Sequence, residues 1–483
     1  MKEEERKFFT QIKKAITTNP FSSERVAIDA ELAGISPTRS IDDIFQMLQH
    51  KLADETRKVI GRQRKGFPLD GYDQKLLRYG ILFKLFYLYC DDYDRLIREQ
   101  VEEGEDSCKV EFARDVLQTL IESGFTGAEA LRFFALFFQM RRAFFFINRI
   151  AGKSSSVQEL RKNLWNNIFT DNIEMYDTYL WNRMEDFSTM LLGETGTGKG
   201  LAASAIGRSG FIPFNEKLSC FSESFAKSFV SINLSQFPEQ LIESELFGHR
   251  KGAFTGAIEA HKGVFSLCSP FGAIFLDEIG DVSIPVQIKL LQILQERQFS
   301  PVGGHTVERF QGRVIAATNR PLAAMRADGT FRDDFYYRLC SDVIEIPSLR
   351  QRLDDDPGEL EIILSFIIRR ILGRSSEDLV DEIGSFIRHN QPKNYPWPGN
   401  IRELEQCVRQ ILLRRDYKWQ NAAEESVMPL SAAIDQGELT AHHLLAYYCN
   451  RLYKKLGTYE AVARVTDLDR RTVRKYIAQL RQH

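Results

Sequence analysis

The spacing of apolar residues divides the chain into stretches of different periodicity. Residues 1 to about 162 repeat apolar positions at helical spacing, as in Ile41, Ile44, Phe45, Leu48 and Leu52, and again in Val110, Phe112, Val116, Leu117, Leu120 and Ile121. This predicts an all-α domain. Its aromatic stripes, Phe83, Phe86, Tyr87 and Tyr89, then Phe133, Phe134, Phe137, Phe138, Phe144, Phe145 and Phe146, read as core or interface at that spacing. From about residue 163 short apolar runs alternate with helical patterns. Thr189–Leu192, Val230–Asn233, Ala273–Leu276 and Arg313–Thr318 read as buried parallel strands of an α/β core. A helical segment from about Leu349 to Tyr417 is broken by Asn394-Tyr395-Pro396-Trp397-Pro398-Gly399-Asn400, whose prolines and glycine force a turn. Polar and small residues follow, and the last 43 residues read as a compact helical unit.

The chemistry sits at the strand ends. Gly193-Glu194-Thr195-Gly196-Thr197-Gly198-Lys199 follows the first strand and opens a helix, the context of a phosphate-binding loop. Backbone N–H groups and the helix N-terminus face the phosphates, and Lys199 reaches the outer ones. Gly200 stands where a generic loop of this kind has Ser or Thr as a magnesium ligand. The strand Ile274-Phe275-Leu276 ends in Asp277 and Glu278, suited to holding magnesium and to orienting and deprotonating an attacking water. Asn319 ends the next strand, where its amide can read a γ-phosphate or position water, and Asn233 ends another. Between the two halves of this site lies Gly252-Ala253-Phe254-Thr255-Gly256-Ala257, preceded by Glu243-Ser244-Glu245-Leu246-Phe247-Gly248-His249. Two glycines around one Phe and one Thr describe a hinged tip presenting a single apolar anchor.

That hexapeptide resembles the sigma-54-contacting loop of the bacterial enhancer-binding proteins, AAA+ ATPases that remodel sigma-54 RNA polymerase. The resemblance runs over about residues 163–415, with the motifs in family order. It implies an α/β AAA+ core, a parallel sheet with flanking helices, with a helical lid, and ATP and Mg2+ as cofactors. It gives Asn319 and Arg402 the roles of first and second sensor. The same resemblance implies that Asn233 restrains the catalytic Glu278 and that Arg338 and Arg332, in Phe331–Leu339, reach a neighbouring subunit as arginine fingers. Gly200 departs from the family, which usually has an acidic residue there. The chain also runs longer than the family norm between Gly200 and Asn233, and we read no function for that segment.

The C-terminal segment Gly457–Arg464 followed by Leu468–Ile477 reads as helix, tight turn, helix. Ala461, Val462, Val465, Leu468, Val473 and Ile477 are its expected interior, and Arg470, Arg471, Thr472, Arg474 and Lys475 its outward face. It resembles the Fis-type helix-turn-helix that ends this family. Arg470, Arg471 and Thr472 are favoured as base readers and Lys475 as a phosphate contact; the sequence leaves the division open.

Bulk properties narrow the setting. The 483 residues are 43% hydrophobic and 27% charged, as in a soluble globular chain of about three domains. The net charge of -2 conceals nine Lys or Arg against three acids in residues 451–483, which suggests a polyanion partner. Seven scattered cysteines without zinc spacing argue for reduced thiols in a cytoplasm. The acidic start lacks the features of a signal peptide, and Arg132, Gln139, Arg141, Arg142 and Arg149 make the apolar window 131–150 a core helix, not a membrane span.

The expected organisation is a helical regulatory domain at 1–162, an AAA+ ATPase subdomain at 163–347, a helical lid at 348–419, a linker at 420–440 and a helix-turn-helix at 441–483. The expected function is ATP-driven activation of sigma-54 RNA polymerase holoenzyme from an upstream site on double-stranded DNA, by a homo-oligomer forming a hexameric ring when active. Two alternatives are a DNA-binding regulator that uses the AAA+ fold only to oligomerise, and a remodeller of another protein.

Overall fold

The computed structural model describes residues 1–36, 41–419 and 440–479. They fall into two compact units: residues 1–390 with 397–417, and residues 391–396 with those from 418 onward. The expected linker at 420–440 lies outside the described residues except for Thr440.

The first unit begins with eight helices: α1 (Glu3–Thr17), α2 (Ser23–Ala33), α3 (Ile41–Arg64), α4 (Gly71–Leu88), α5 (Cys90–Glu103), α6 (Ala113–Glu122), α7 (Gly127–Asn148) and α8 (Ser155–Phe169). The central one is α7. It starts on a capping box, in which Thr126 and Glu129 each satisfy the other's backbone N–H, and it buries residues on nearly every side, including Phe133, Phe134, Phe137, Phe138, Gln139, Arg142 and Phe146. The short turn α9 (Ile173–Met175) runs into a single π-helical turn, Tyr176–Leu180, before the sheet begins.

Five strands form one parallel sheet in the order β4 (Phe229–Asn233), β5 (Ala273–Asp277), β8 (Arg313–Thr318), β1 (Thr189–Leu192) and β9 (Asp342–Glu345). The first four follow the apolar runs of the sequence. The edge strand β9 has only Ile344 buried, so it leaves no apolar run to read. Alternate residues supply two cores. Met190, Ile274, Leu276, Val314 and Ala316 pack with α11 (Glu239–Phe247), α13 (Ile284–Glu296) and α15 (Asp333–Leu339). Leu191, Phe275, Ile315, Ala317 and Ile344 pack on the other face with α8 and α10 (Lys199–Gly207), in a core that continues without a break into α1–α7. Asn167 of α8 ties this side down, its amide donating to Thr189 Oγ1 at 3.0 Å and to Asp342 Oδ2 at 2.6 Å. Residue 162 lies inside α8.

The long segment after Gly200 has a structural role. It carries a hairpin, β2 (Phe214–Asn215) and β3 (Cys220–Phe221), whose rings dock on α7. Phe221 stacks on Phe138 at 4.1 Å between ring centroids, Phe214 meets Phe134 edge-on at 4.8 Å, and Phe225 meets Phe146 at 5.5 Å. The backbone joins in, with Val110 N–H donating to Ser219 O at 2.8 Å.

The remaining elements are α12 (Val264–Leu267), the ribbon β6 (Gln298–Phe299) and β7 (Glu308–Arg309), α14 (Leu322–Ala327), and four helices after the sheet: α16 (Leu349–Asp355), α17 (Glu359–Leu372), α18 (Glu377–Asn390) and α19 (Asn400–Arg414). In the second unit α20 (Ala441–Leu456), α21 (Tyr459–Thr466) and α22 (Arg470–Gln479) close over Cys449, Val462, Val473 and Ile477. Val465, expected inside, is 54% exposed: the buried side of α21 is the one that carries Val462, and Val465 stands off it in the last turn. No helix among the described residues is long and apolar enough to cross a membrane; the window 131–150 lies in the buried α7.

Replacing Phe221 with Ala removes a ring sandwiched in the seam between hairpin and α7, and the expected cost is about 3 kcal/mol. The check is a lower urea midpoint for the full chain, followed by tryptophan fluorescence.

Candidate functional site

The strand β1 delivers the chain into Gly193–Gly198 and directly onto α10. Gly196 sits at φ 80° under the lid, where a Cβ would lie 2.2 Å from Gly399 O, so this position admits no side chain. Lys199 opens α10 and is almost fully buried. Its ammonium donates to the carbonyls of Gly193 at 2.9 Å and Glu194 at 3.3 Å, and Thr197 Oγ1 donates to Glu194 O. Gly200 is exposed, and a Cβ there would meet only Phe275 at 3.9 Å, an ordinary contact. Packing does not require a glycine at that position.

Asp277 and Glu278 stand at the end of β5. Asp277 Oδ1 accepts the N–H of Glu278 at 3.1 Å, and Glu278 is held in the left-handed region at φ 55°, a conformation uncommon for a residue with a side chain. Burial pushes the Asp277 carboxyl above the ordinary carboxylate range, opposed by the positive charge of Lys199. Burial lowers the Lys199 ammonium, opposed by Glu278 and Asp277 and reinforced by Arg402. These four groups therefore share one electrostatic field. Asn319 Nδ2 donates to Thr195 Oγ1 at 2.8 Å, which places the strand-end amide against the glycine loop.

Asn233 pairs in register with Asp277 on the neighbouring strand. Its Oδ1 accepts from the Ser235 N–H at 3.0 Å and the Ser235 hydroxyl at 2.8 Å, capping the following turn. Among the described residues no hydrogen bond joins it to Glu278.

The lid closes on the loop through residues with little sequence signal. Ile401 N–H donates to Gly196 O at 3.1 Å. Asn400, fully buried at φ 51°, accepts the Leu349 N–H at 2.7 Å and donates to Glu194 Oε2 at 3.0 Å and Thr195 O at 3.1 Å. The Pro-Gly-Asn run was a turn signal; its amide pairs loop with lid. Arg402 is exposed in the same first turn of α19, at the edge of a cavity of about 250 Å3 that also touches Gly196, Gly198, Leu201 and Ile346. Ile150 and Ala151, from the connection between α7 and α8, line the same cavity. Nothing in their sequence pattern marked them.

This arrangement fits a nucleoside triphosphate. A glycine cradle and buried Lys199 offer donors to phosphates, and the cavity beside them has apolar walls. No group of three or more His, Cys, Asp or Glu side chains among the described residues could hold a metal. With Gly200 contributing no oxygen, magnesium would depend on Asp277, phosphates and water.

The glycine-hinged loop is inserted between β4 and β5, the strands ending in Asn233 and Asp277. Its neck is fixed by a bridge between His249 and His261 and by Arg250 N–H donating to Val302 O at 3.1 Å. Gly252 and Gly256 have φ of 79° and 106°, and Gly252 N–H closes the tip onto Ala257 O at 2.8 Å. Ala257 is buried, so it anchors the tip. Thr255 is exposed, and Phe254, 36% exposed, meets the His249 ring at 4.9 Å. A second turn supports the first: a Cβ on Gly303 would come 2.8 Å from Ala253 Cβ. Nothing local in Pro301-Val302-Gly303-Gly304 marks that partnership with the first loop.

The two arginines of Phe331–Leu339 are engaged locally. Arg332 pairs with Asp334 at 2.7 Å, and Arg338 donates through Nε and Nη2 to Leu294 O at 3.0 and 2.8 Å. Asp333 takes Arg326 instead.

In the second unit Asp469 caps α22, accepting the Arg471 N–H at 2.8 Å and the Thr472 N–H at 3.0 Å, and its carboxylate also takes the Thr472 hydroxyl. Arg470 pairs with Glu460 at 2.9 Å. Arg471, Arg474 and Lys475 are exposed along the helix.

A phosphate-binding loop, acids at the end of the adjoining strand, a strand-end amide and a helical lid on a parallel sheet define an AAA+ nucleotide-binding module. Residues 170–346 match the sigma-54 interaction domain family. The likeness is to that domain, which this chain carries at residues 170–346. It is 44% identical over 229 residues to the nitrogen fixation protein VnfA of Azotobacter vinelandii, covering 47% of this chain and 40% of that one. It is 42% identical over 231 residues to a Nif-specific regulatory protein of Enterobacter agglomerans (48% and 41%), and 34% identical over 283 residues to the regulatory protein AtoC of Escherichia coli strain K12 (55% and 57%). The chain thus spans about two fifths to three fifths of the length of these relatives. A crystal structure of NtrX from Brucella abortus in complex with ATP, 22% identical, covers 75% of this chain and 80% of its own at a TM-score of 0.40, too loose a likeness to carry an argument.

A raised carboxyl favours the folded state fully only below the ordinary carboxylate range, and that contribution is lost as pH rises through the folded value. Asp277→Asn removes this penalty. Scanning fluorimetry of the nucleotide-free protein should give matching Tm values for variant and parent at about pH 3, with the variant higher at about pH 7.

Proposed function

We propose that this chain is an ATP-hydrolysing transcriptional activator that binds DNA upstream of a promoter and remodels sigma-54 RNA polymerase to allow opening. The single observation that carries this reading is the place of the glycine-hinged loop, between the strands that end in Asn233 and in Asp277 and Glu278. A change at the γ-phosphate is thereby a change at the roots of the loop that carries Phe254 and Thr255.

In this mechanism the N–H groups of Gly196–Lys199 and the Lys199 ammonium bind the outer phosphates of ATP. Glu278 orients the attacking water and takes its proton, while Asn319 reads the γ-phosphate. Magnesium, when bound, neutralises phosphate charge beside Asp277. Arg402 reports nucleotide state to the lid. Arg338 and Arg332 act on a neighbouring subunit's nucleotide, which makes a homo-oligomeric ring the active form, and each must first leave the local partner described above. Asn233 exchanges its Ser235 cap for Glu278 in the restrained state. Gly252, Ala253, Phe254, Thr255, Gly256 and Ala257 form the surface presented to sigma-54, with Phe254 and Thr255 as its tip.

Residues 441–483 dock on double-stranded DNA. Arg470, Arg471 and Thr472 face base edges at the start of α22, and Arg474 and Lys475 follow on the same helix. Labour is divided among regulatory helices at 1–162, an ATPase subdomain at 163–347, a lid at 348–419, a linker at 420–440 and the DNA-binding unit.

Lys199→Ala should abolish ATP hydrolysis by the purified chain. Phe254→Ala and Thr255→Ala should keep hydrolysis and lose both sigma-54 binding and open-complex formation on a sigma-54 promoter. Hydrolysis without any opening by the parent chain would sink the activator reading. Arg471→Ala should weaken binding to the cognate DNA site by about 1–3 kcal/mol in a salt titration.

A further inference from the structure

The first unit contains a second cavity, larger than the one at the glycine loop. It lies between α1, α4, α7 and the turn at residues 172–180, and its volume is about 570 Å3, within the range of sites for drug-sized ligands. Phe83, Phe86, Phe133, Leu136, Phe137 and Met140 form its apolar wall. Flat aromatic walls of this kind suit a ring system.

The charges around the cavity do not balance. Arg25 pairs with Asp29 at 2.9 Å, Arg132 with Asp177 at 3.1 Å and Arg78 with Glu129, one carboxylate to each cation. Glu174 alone serves two ammonium groups, Lys13 at 3.1 Å and Lys75 at 3.3 Å, and also accepts the Tyr79 hydroxyl. One positive charge is left over where the apolar wall meets solvent, and Lys75 remains 60% exposed there. An apolar molecule carrying one negative charge satisfies both features.

Two walls of this cavity also hold the far end of the glycine-loop helix. On α7, Gln139 and Arg142 lie among the wall residues but turn away from the cavity. Gln139 Nε2 donates to Ser209 O at 2.9 Å and its amide exchanges hydrogen bonds with the Tyr176 hydroxyl at 2.8 and 2.9 Å. Arg142, fully buried, donates to Arg208 O at 2.8 Å and Gly210 O at 2.6 Å, and burial without a carboxylate partner lowers its guanidinium to about 9. These carbonyls follow the last turn of α10, so a cation caps the C-terminus of the helix that Lys199 opens. Tyr176 begins the π-helical turn whose Asp177 and Tyr179 line the cavity. Such turns are uncommon, and they recur at functional sites.

We propose that this cavity binds a small aromatic monoanion and that its occupancy is transmitted through Gln139, Tyr176 and Arg142 to α10. Filling the cavity fixes the spacing between α7 and the π-helical turn, and the shared bonds at Ser209 and Gly210 carry that spacing to the helix holding the phosphate loop. The binding step is independent of the function proposed above; only its effect on hydrolysis rests on that reading.

The probe is 8-anilinonaphthalene-1-sulfonate, an aromatic monoanion of suitable size, titrated into the full chain. One saturable site is expected from fluorescence. Met140→Trp, which fills the cavity from a partly buried position, should abolish it, and Lys75→Glu, an exposed change that leaves folding intact, should weaken it several-fold. Hydrogen exchange of the amides at 200–210 should change on saturation in the parent chain and change less in Gln139→Leu, which keeps the cavity and the Arg142 bonds but cuts those to Ser209 and Tyr176. Saturation unaltered in both Met140→Trp and Lys75→Glu overturns the site. Probe binding with unchanged exchange at 200–210 overturns the transmission. A parent chain that binds the probe and alters exchange but hydrolyses no ATP counts against the ATPase reading and leaves this inference standing.

Discussion

A parallel sheet with apolar residues on both faces must be covered on both. In this protein the cover on one face is not a layer private to the nucleotide-binding module. Leu191, Phe275, Ile315 and Ala317 pack under α8 and α10, and the same core runs on through the aromatic residues of α7 to Phe9 of α1. The hairpin at 214–221 extends the continuity from the other side, because it belongs to the α/β segment by sequence and to α7 by packing. What the eight N-terminal helices do to one another is therefore felt at the sheet, and the glycine loop, its acids and its lid are all mounted on that sheet.

The site itself is built from backbone held in unusual conformations. Glu278 and Asn400 both sit in the left-handed region, at φ 55° and 51°, one at the end of β5 and the other where the lid meets the glycine loop. Each residue has partners nearby: Asp277 Oδ1 accepts the Glu278 backbone N–H, and the Asn400 amide bonds to Glu194, Thr195 and Leu349. Strain of this kind persists only where surrounding contacts fix it. It gives the nucleotide site two points at which a small rotation of backbone has a large effect on where a carboxylate or an amide points.

Much of this was legible in the sequence, for physical reasons. The three inner strands β1, β5 and β8 are apolar runs because they are buried on both faces, the edge strand β4 keeps enough apolar residues to read, and the glycine loop is marked by residues chosen for backbone freedom. The fifth strand was hidden because Asp342, Val343 and Glu345 face outward. Asn400 looked like part of a turn, since nothing in Pro-Gly-Asn reports that its amide reaches Glu194. Ile150 and Ala151 were invisible as cavity residues, being ordinary apolar positions whose importance comes only from where the connection between α7 and α8 is threaded. The segment after Gly200 read as an insertion without purpose. Its purpose is tertiary: Phe214, Phe221 and Phe225 match rings sixty or more residues away, a relation no local pattern encodes. At the other end of the chain, Asp469 claims the Thr472 hydroxyl that the sequence offered to DNA.

The connection between α7 and α8 has a consequence for how such chains can be recombined. Multidomain regulators diversify when an input half is exchanged for another at a neutral crossover point, which requires a seam that few contacts cross. Here the obvious crossover, where helical periodicity gives way to strands, cuts α8 in two and would strip Ile150 and Ala151 from the cavity beside the glycine loop. An incoming N-terminal half would have to supply both a wall for that cavity and a ring surface for the hairpin at 214–221. The N-terminal helices and the nucleotide-binding module of this protein share one core and do not separate at that point.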